Sequence, residues 1–186
     1  MTAIVRRSTP YDAPGGVTVV RGDVLDAGFV ASATSGHDAV ASCLGIRYAH
    51  PWARRESPDD FISRATGNIV AGMQASGVQR ISVISAAGVA ESRAAANFII
   101  RLLIATSNVG VAYADLARVE DVLRHSGLDW QAVRATTLSN RRGHGKARLT
   151  TRFPMTGSIA RSDVAAFMLN ELQQPKFMER TPMITG

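Results

Sequence analysis

The first apolar run of the chain, TAIV, is followed at once by two arginines, Arg6 and Arg7. A phosphomonoester carries close to two negative charges, and a guanidinium fork matches its oxygens with paired hydrogen bonds. Similar endings recur along the chain. VTVVRG runs into Asp23 and Val24, and DAVASCL closes on Leu44 and Gly45. RISVIS gives out at Ser85, Ala86, Ala87 and Gly88, and WQAVR passes through Arg134 into Ala135, Thr136 and Thr137. Small residues at such places let a flat ligand approach the backbone, while hydroxyl, carboxylate and guanidinium groups orient it. Each ending has a plainer reading as well. Paired arginines blunt an edge strand, an aspartate after a strand makes a turn, and a glycine serves a loop. Five such endings in succession form a pattern that one would not.

For these residues to act together, the runs that carry them must be parallel strands. TAIVR, VTVV, DAVASCL, RISVIS, WQAVR and ARLTT are short and strand-like. Between them the apolar spacing turns helical. Phe61–Met73 sets Ile62, Ala65, Ile69 and Met73 on one stripe, Asp115–Arg124 does so with Leu116, Val119 and Leu123, and Ser162–Leu172 with Val164, Phe167, Met168 and Leu172. Ser162 is the expected N-cap of the last helix, with Asp163 in its first turn, and Gly77 and Gly127 stand where helices should stop. Strands alternating with helices predict a doubly wound, mostly parallel α/β sheet with helices on both faces. In such a sheet the carboxyl ends of the strands share one rim, and ligands bind there. An arginine closing a strand of this kind points to the 2′-phosphate of NADP rather than to NAD. Asp23 with Val24 could meet adenine, and Ser85 the nicotinamide or a substrate carbonyl. Arg134 and Ala135 would edge the nicotinamide pocket.

At 186 residues the chain is expected to form one domain, residues 1–186. Its 46% hydrophobic and 19% charged residues are those of a compact globular protein. FIIRLLIATSNVGVA is the longest apolar stretch, and Arg101, Asn108 and Gly110 interrupt it before the ~20 residues a membrane span needs. Neither a membrane partner nor a secretory leader is expected, and a cytoplasmic location is the default. Cys43 is the only cysteine, so no intrachain disulfide or cysteine-rich metal site can form. The net charge of +6 is almost all arginine, spread along the chain with adjacent pairs at 6–7, 54–55 and 141–142. That scatter favours a small anionic ligand over nucleic acid. RRGHGKAR holds a lone G-x-G, but it does not join a strand to a helix and is rejected as a phosphate loop. His37, His50, His125 and His144 have no metal-ligand spacing. The segment Ile46 to Asp59 reads as loop.

Taken together, VTVVRGDVLD, DAVASCLG, NIVAGMQASGVQRISVISAAGV, YADLARVEDVLRHSGLDWQAVRATTLS and IARSDVAAFML resemble the atypical short-chain dehydrogenase group. That group includes NmrA-like proteins and the biliverdin reductase B/flavin reductase proteins. The resemblance covers most of the chain in order and spacing. It implies a Rossmann-like domain that binds NADP, with NADPH preferred over NADH, and reduces flavins, quinones or other small planar acceptors. It implies that Arg6, Asp23, Val24, Leu44, Gly45, Ser85 and Ala86 line the cofactor; Arg7, Arg134 and Ala135 join them by position. The alternatives are a non-catalytic NADP-responsive regulator and a scaffold that no longer binds the cofactor.

The chain also departs from the group. Leu116 stands where relatives often carry lysine, Ala135 where they often carry proline, and Tyr113 is followed by Ala117 rather than by the lysine of a Tyr-x-x-x-Lys pair. A proton relay through that lysine is therefore not available, whereas direct hydride transfer with protonation from solvent needs none. The group opens on a strand, a glycine-rich turn and a helix, and this chain starts at the second strand. Three arrangements would accommodate that start: TAIVR pairs directly with DAVASCL, a partner chain (a second copy in a homo-oligomer, for example) fills the gap, or the true start lies upstream. The first and last are favoured, and cofactor affinity is expected to be weak.

Overall fold

A computed structural model describes residues 1–46, 50–53 and 57–186. The Arg54–Arg55 pair and part of the loop expected from Ile46 to Asp59 lie outside the described residues. Nine strands and five helices are seen among the described residues. β1 (Thr2–Val5) and β2 (Thr18–Arg21) form a parallel pair in register from Thr2 opposite Thr18 to Val5 opposite Arg21. A larger sheet has the order β3-β4-β5-β9-β7, from β3 (Ala39–Ser42), β4 (Arg80–Ala86), β5 (Asp129–Ala135), β9 (Met183–Thr185) and β7 (Arg148–Leu149). Its pairs are parallel except β7 with β9. β6 (Thr137–Ser139) and β8 (Ser158–Ala160) pair separately, also in parallel. Among the described residues β1 has only β2 as a partner and β3 only β4. The direct pairing of TAIVR with DAVASCL expected above therefore does not occur.

Side-chain alternation explains the layers. On β4 and β5, Ile81, Val83, Trp130 and Ala132 face a core built with α2 (Phe61–Ser76) and α4 (Val109–Arg124). Val133 and Ala135 face the opposite way, toward Val164 and Met168 of α5 (Arg161–Gln173). Helices thus cover both faces, as the alternating sequence pattern predicts. α1 (Ala27–Thr34) lies against α2, and α3 (Phe98–Thr106) against α4. A 3-10 segment, Ala90–Ala95, leads from β4 toward α3.

Three helix ends show how local chemistry fixes the frame. Gly77 closes α2 at φ 73°, the left-handed conformation expected of a terminating glycine. At the other end of α2, Asp60 makes no side-chain cap bond. The cap comes instead from Asp115 of α4, whose carboxylate accepts from the backbone N–H of Ile62 at 2.7 Å and of Ser63 at 3.3 Å, and from the Ser63 hydroxyl at 2.5 Å. The expected cap by Ser162 is corrected. Ala160 holds the N-cap position of α5, and Ser162 is already helical. Asp163 accepts from His144 and Gly145 N–H at 3.1 and 2.8 Å, so the RRGHGKAR turn is docked on the start of α5.

Candidate active site

Ser85 and Arg134 face each other across β4 and β5 in register. Both side chains point toward α4, where alternation along the strands directs them, and both meet one residue there. Glu120 is fully buried, and its Oε1 accepts from the Ser85 hydroxyl at 2.8 Å and from Arg134 Nε at 2.9 Å. Its Oε2 accepts from Arg134 Nη2 at 2.6 Å and from Arg124 Nη2 at 3.4 Å. The other side of the Arg134 guanidinium holds Glu91 of the 3-10 segment by two bonds, at 2.5 and 3.0 Å. Arg134 is only 3% exposed at its side chain, Glu91 69%. Burial by itself would lower the Arg134 pKa, but the hydrogen bonds and charges of Glu120 and Glu91 reverse this and raise it. The Arg134 hydrogen bond in turn holds the Glu91 carboxyl below its ordinary range.

A carboxylate clamped by a guanidinium has no hydrogen to give, so Ser85 is the donor to Glu120. The single hydroxyl hydrogen of Ser85 is thereby engaged, and its oxygen keeps only acceptor capacity. Tyr113, on the same helix as Glu120, is similarly engaged. Its hydroxyl donates to Ala87 O at 3.1 Å, and burial pushes its pKa up to about 12. The backbone at Gly88 is at φ 96°, and a Cβ there would come within 3.1 Å of the Tyr113 ring. The glycine is what lets the tyrosine ring come close to the turn that ends β4. Leu116, one turn along from Tyr113, is buried in the apolar core.

The other expected residues fall into three groups. Val24, Leu44 and Ala86 are half-buried and pack against one common apolar core. Val24 O also accepts from Asn68 of α2 at 3.1 Å. Arg6, Arg7, Asp23 and Gly45 are exposed. Asp23 folds its own turn, accepting from Leu25 N–H at 2.9 Å, and Arg21 braces the turn after β1 by donating to Thr9 O at 2.7 Å. Arg6 and Arg7 have no ion-pair partner among the described residues, which leaves their guanidinium groups available to an anion. Ala135 belongs to the core on the α5 side.

Three features lay outside the sequence reading. Glu120 joins Ser85 to Arg134, and the sequence signal was an acid set beside the buried stripe of Leu116, Val119 and Leu123. The second is Ser42, at the end of β3, whose buried hydroxyl has no hydrogen-bond partner among the described residues. Ser42 lies opposite Val83 of the core, so its hydroxyl is directed toward the layer under the helices. The third is an open depression of about 370 Å³ lined by Leu149, Thr150, Thr151, Arg152 and Met183, which holds none of the expected residues. Met183 pairs with Arg134 in register, so the depression opens one strand away from it.

The exposed Arg6 and Arg7 beside the Asp23–Val24 turn, with Leu44 and Gly45 after β3, are chemically compatible with the adenosine half of a dinucleotide. A glycine-rich strand-to-helix turn for the pyrophosphate is not among the described residues. No group of three or more metal-ligating side chains is found among them either.

Comparison with known proteins bears on the fold and the family. ChuY, an anaerobilin reductase from Escherichia coli, superposes with a TM-score of 0.71 at 22% identity, covering 91% of this chain and 75% of its own. A short-chain dehydrogenase/reductase from Veillonella parvula, solved with NADP, superposes with a TM-score of 0.69 at 16% identity, covering 93% of this chain and 74% of its own. At these identities the likeness establishes the Rossmann-like α/β fold. The sequence profile of the NAD(P)H-binding family matches residues 1–175, nearly the whole chain, and the protein belongs to that family.

Proposed function

We propose that the protein is an NADPH-dependent reductase that delivers a hydride directly to a flavin, a quinone or a similar small planar acceptor. The observation that carries the mode of transfer is that the Ser85 and Tyr113 hydroxyls, beside the end of β4, are engaged within the protein. Ser85 donates to Glu120 and Tyr113 to Ala87 O, and Leu116 offers no charge beside them. A carbonyl reduction that needs a protein proton in the transition state has no ready donor here. An acceptor that spreads the incoming charge over a conjugated ring and takes its proton from water needs none.

The reduced nicotinamide would supply the hydride. Arg6 and Arg7 would hold the 2′-phosphate, with Asp23 and Val24 at the adenine and Leu44 and Gly45 along the ribose. Ser85, restricted to accepting, would receive an N–H such as that of a carboxamide and so orient the ring. Arg134 would act through Ser85 and Glu120 rather than by touching the ligand, because both sides of its guanidinium are occupied. Membership of the NAD(P)H-binding family supports the cofactor class, and the free arginines after β1 support NADPH.

The same engaged hydroxyls also favour a second reading, in which the protein binds NADP(H) and signals its state to a partner without turnover. The test is NADPH oxidation with riboflavin, FMN or a quinone, in parallel with thermal shift by NADP(H). Turnover with an NADPH preference is expected. An Arg6→Ala variant should lose about tenfold or more in kcat/KM for NADPH, the worth of a charge-assisted pair, with little change for NADH. Equal rates with both nucleotides, unaffected by that change, would remove the role given to Arg6. A thermal shift without turnover selects the second reading, and no shift at all rejects both.

A further inference from the structure

Among the described residues α3 is the one helix whose apolar side chains mostly face outward. Ile104 is its only buried residue, whereas Phe98 is 72% exposed, Ile99 55% and Leu102 49%. The exposed strip continues beyond the C-terminal end of the helix. At the far end Trp52, 62% exposed, donates its Nε1–H to Thr106 O at 3.0 Å. At the near end Ala96, just before the helix, is buried against Phe153, so the strip begins at Phe98. Large apolar residues gathered this way on a folded surface mark a contact site.

Charge indicates what covers it. From Ser92 to Ala114 the sequence has no acidic residue and two arginines, Arg93 and Arg101. Arg101 lies on the same exposed side of α3 as Phe98 and Leu102, three residues from one and adjacent to the other. The acid just before this stretch, Glu91, is paired with Arg134, and the acid just after it, Asp115, is buried against α2. A second copy meeting this face about a two-fold axis would bring the two exposed Arg101 side chains onto one contact, like charge against like. An anionic lipid surface meets both requirements, taking the apolar side chains among its acyl chains and the arginines among its headgroups. Tryptophan is well suited to the boundary, with its ring in the apolar layer and its N–H satisfied.

We propose that α3, with Trp52, docks the protein peripherally on an anionic membrane surface. This departs from the sequence expectation of no membrane partner. That expectation rested on spanning length, and no single helix among the described residues is long and apolar enough to cross a bilayer. A helix lying in the interface is not subject to that criterion. The proposal does not depend on the reductase reading.

The test is co-sedimentation of the full chain with phosphatidylcholine vesicles and with vesicles containing phosphatidylglycerol, together with tryptophan fluorescence. Trp130 is buried, so a blue shift reports on Trp52. Binding to the anionic vesicles with a blue shift is expected, weakened by salt and weak or absent with phosphatidylcholine alone. Phe98→Ser with Leu102→Ser should lower the bound fraction about tenfold, and Arg101→Glu should lower it on anionic vesicles only. These side chains are exposed, so an unchanged melting temperature shows that the variants fold. No binding to anionic vesicles, binding that survives both variants, or a dimer that buries Trp52 without lipid would overturn the proposal.

Discussion

The ion-pair network at the ends of β4 and β5 places opposite demands on its members. Glu120 is fully buried and serves three donors, so Glu120→Gln leaves the buried Arg134 guanidinium short of charge. Breaking a buried pair from one side costs about 3–5 kcal/mol, and urea unfolding should read a loss in that range. Glu91 meets the same guanidinium from solvent, where screening limits its worth to under about 1 kcal/mol. Its folded pKa is depressed, so its contribution is present above the unfolded value of about 4.3 and is lost as pH falls through the folded one. Melting curves of the native protein and Glu91→Gln should therefore differ at neutral pH and converge in acid. A difference that grows on acidification would contradict this assignment. Ser85 and Arg134 could be picked from the sequence because each ends a strand. Their meeting at Glu120 could not, since that residue is 35 positions from one and 14 from the other.

Helices here are positioned by polar groups on other elements. Asp115 caps α2 from α4, supplying what Asp60 does not. Asp115→Ala would leave the first N–H groups of α2 without their buried acceptor, and about 2–3 kcal/mol should be lost in denaturant unfolding. Amide exchange at Ile62 and Ser63 should rise more than at the far end of the helix, and uniform exchange would argue against a local cap. Strong apolar periodicity made α2, α4 and α5 visible in the sequence, although α4 begins six residues before the expected Asp115. α1 and α3 were not visible as helices. The first is made of small residues without a stripe, and the second is apolar nearly all round, so neither gives a contrast between faces. Asp26 and Asn97, which cap them by accepting from Phe29 and Ile99 N–H, were the available signals.

At the scale of the whole molecule the sheet is divided. β4 and β5 pair over seven residues and are covered on both sides, whereas β1 and β2 are tied to the rest through the α1–α2 contact and the core around Val24. Few buried contacts mean a low cost of local opening. Hydrogen exchange should thus be fast in Thr2–Val5 and Thr18–Arg21 and slow in Arg80–Ala86, and equal protection would refute the division. On the proposed assignment of Arg6 and Arg7 to the cofactor, adding NADP(H) should slow exchange in β1, and unchanged exchange there would count against it. The sequence by itself determined the strand ends and the α/β alternation, which depend on residue types repeated over short windows, and the NAD(P)H cofactor class, through its ordered match to the family. Only the tertiary structure decided that TAIV stands apart from DAVASCL, that Glu120 engages Ser85, and that α3 turns its apolar side outward. Such outcomes depend on which distant groups share a buried volume, and no local periodicity encodes that.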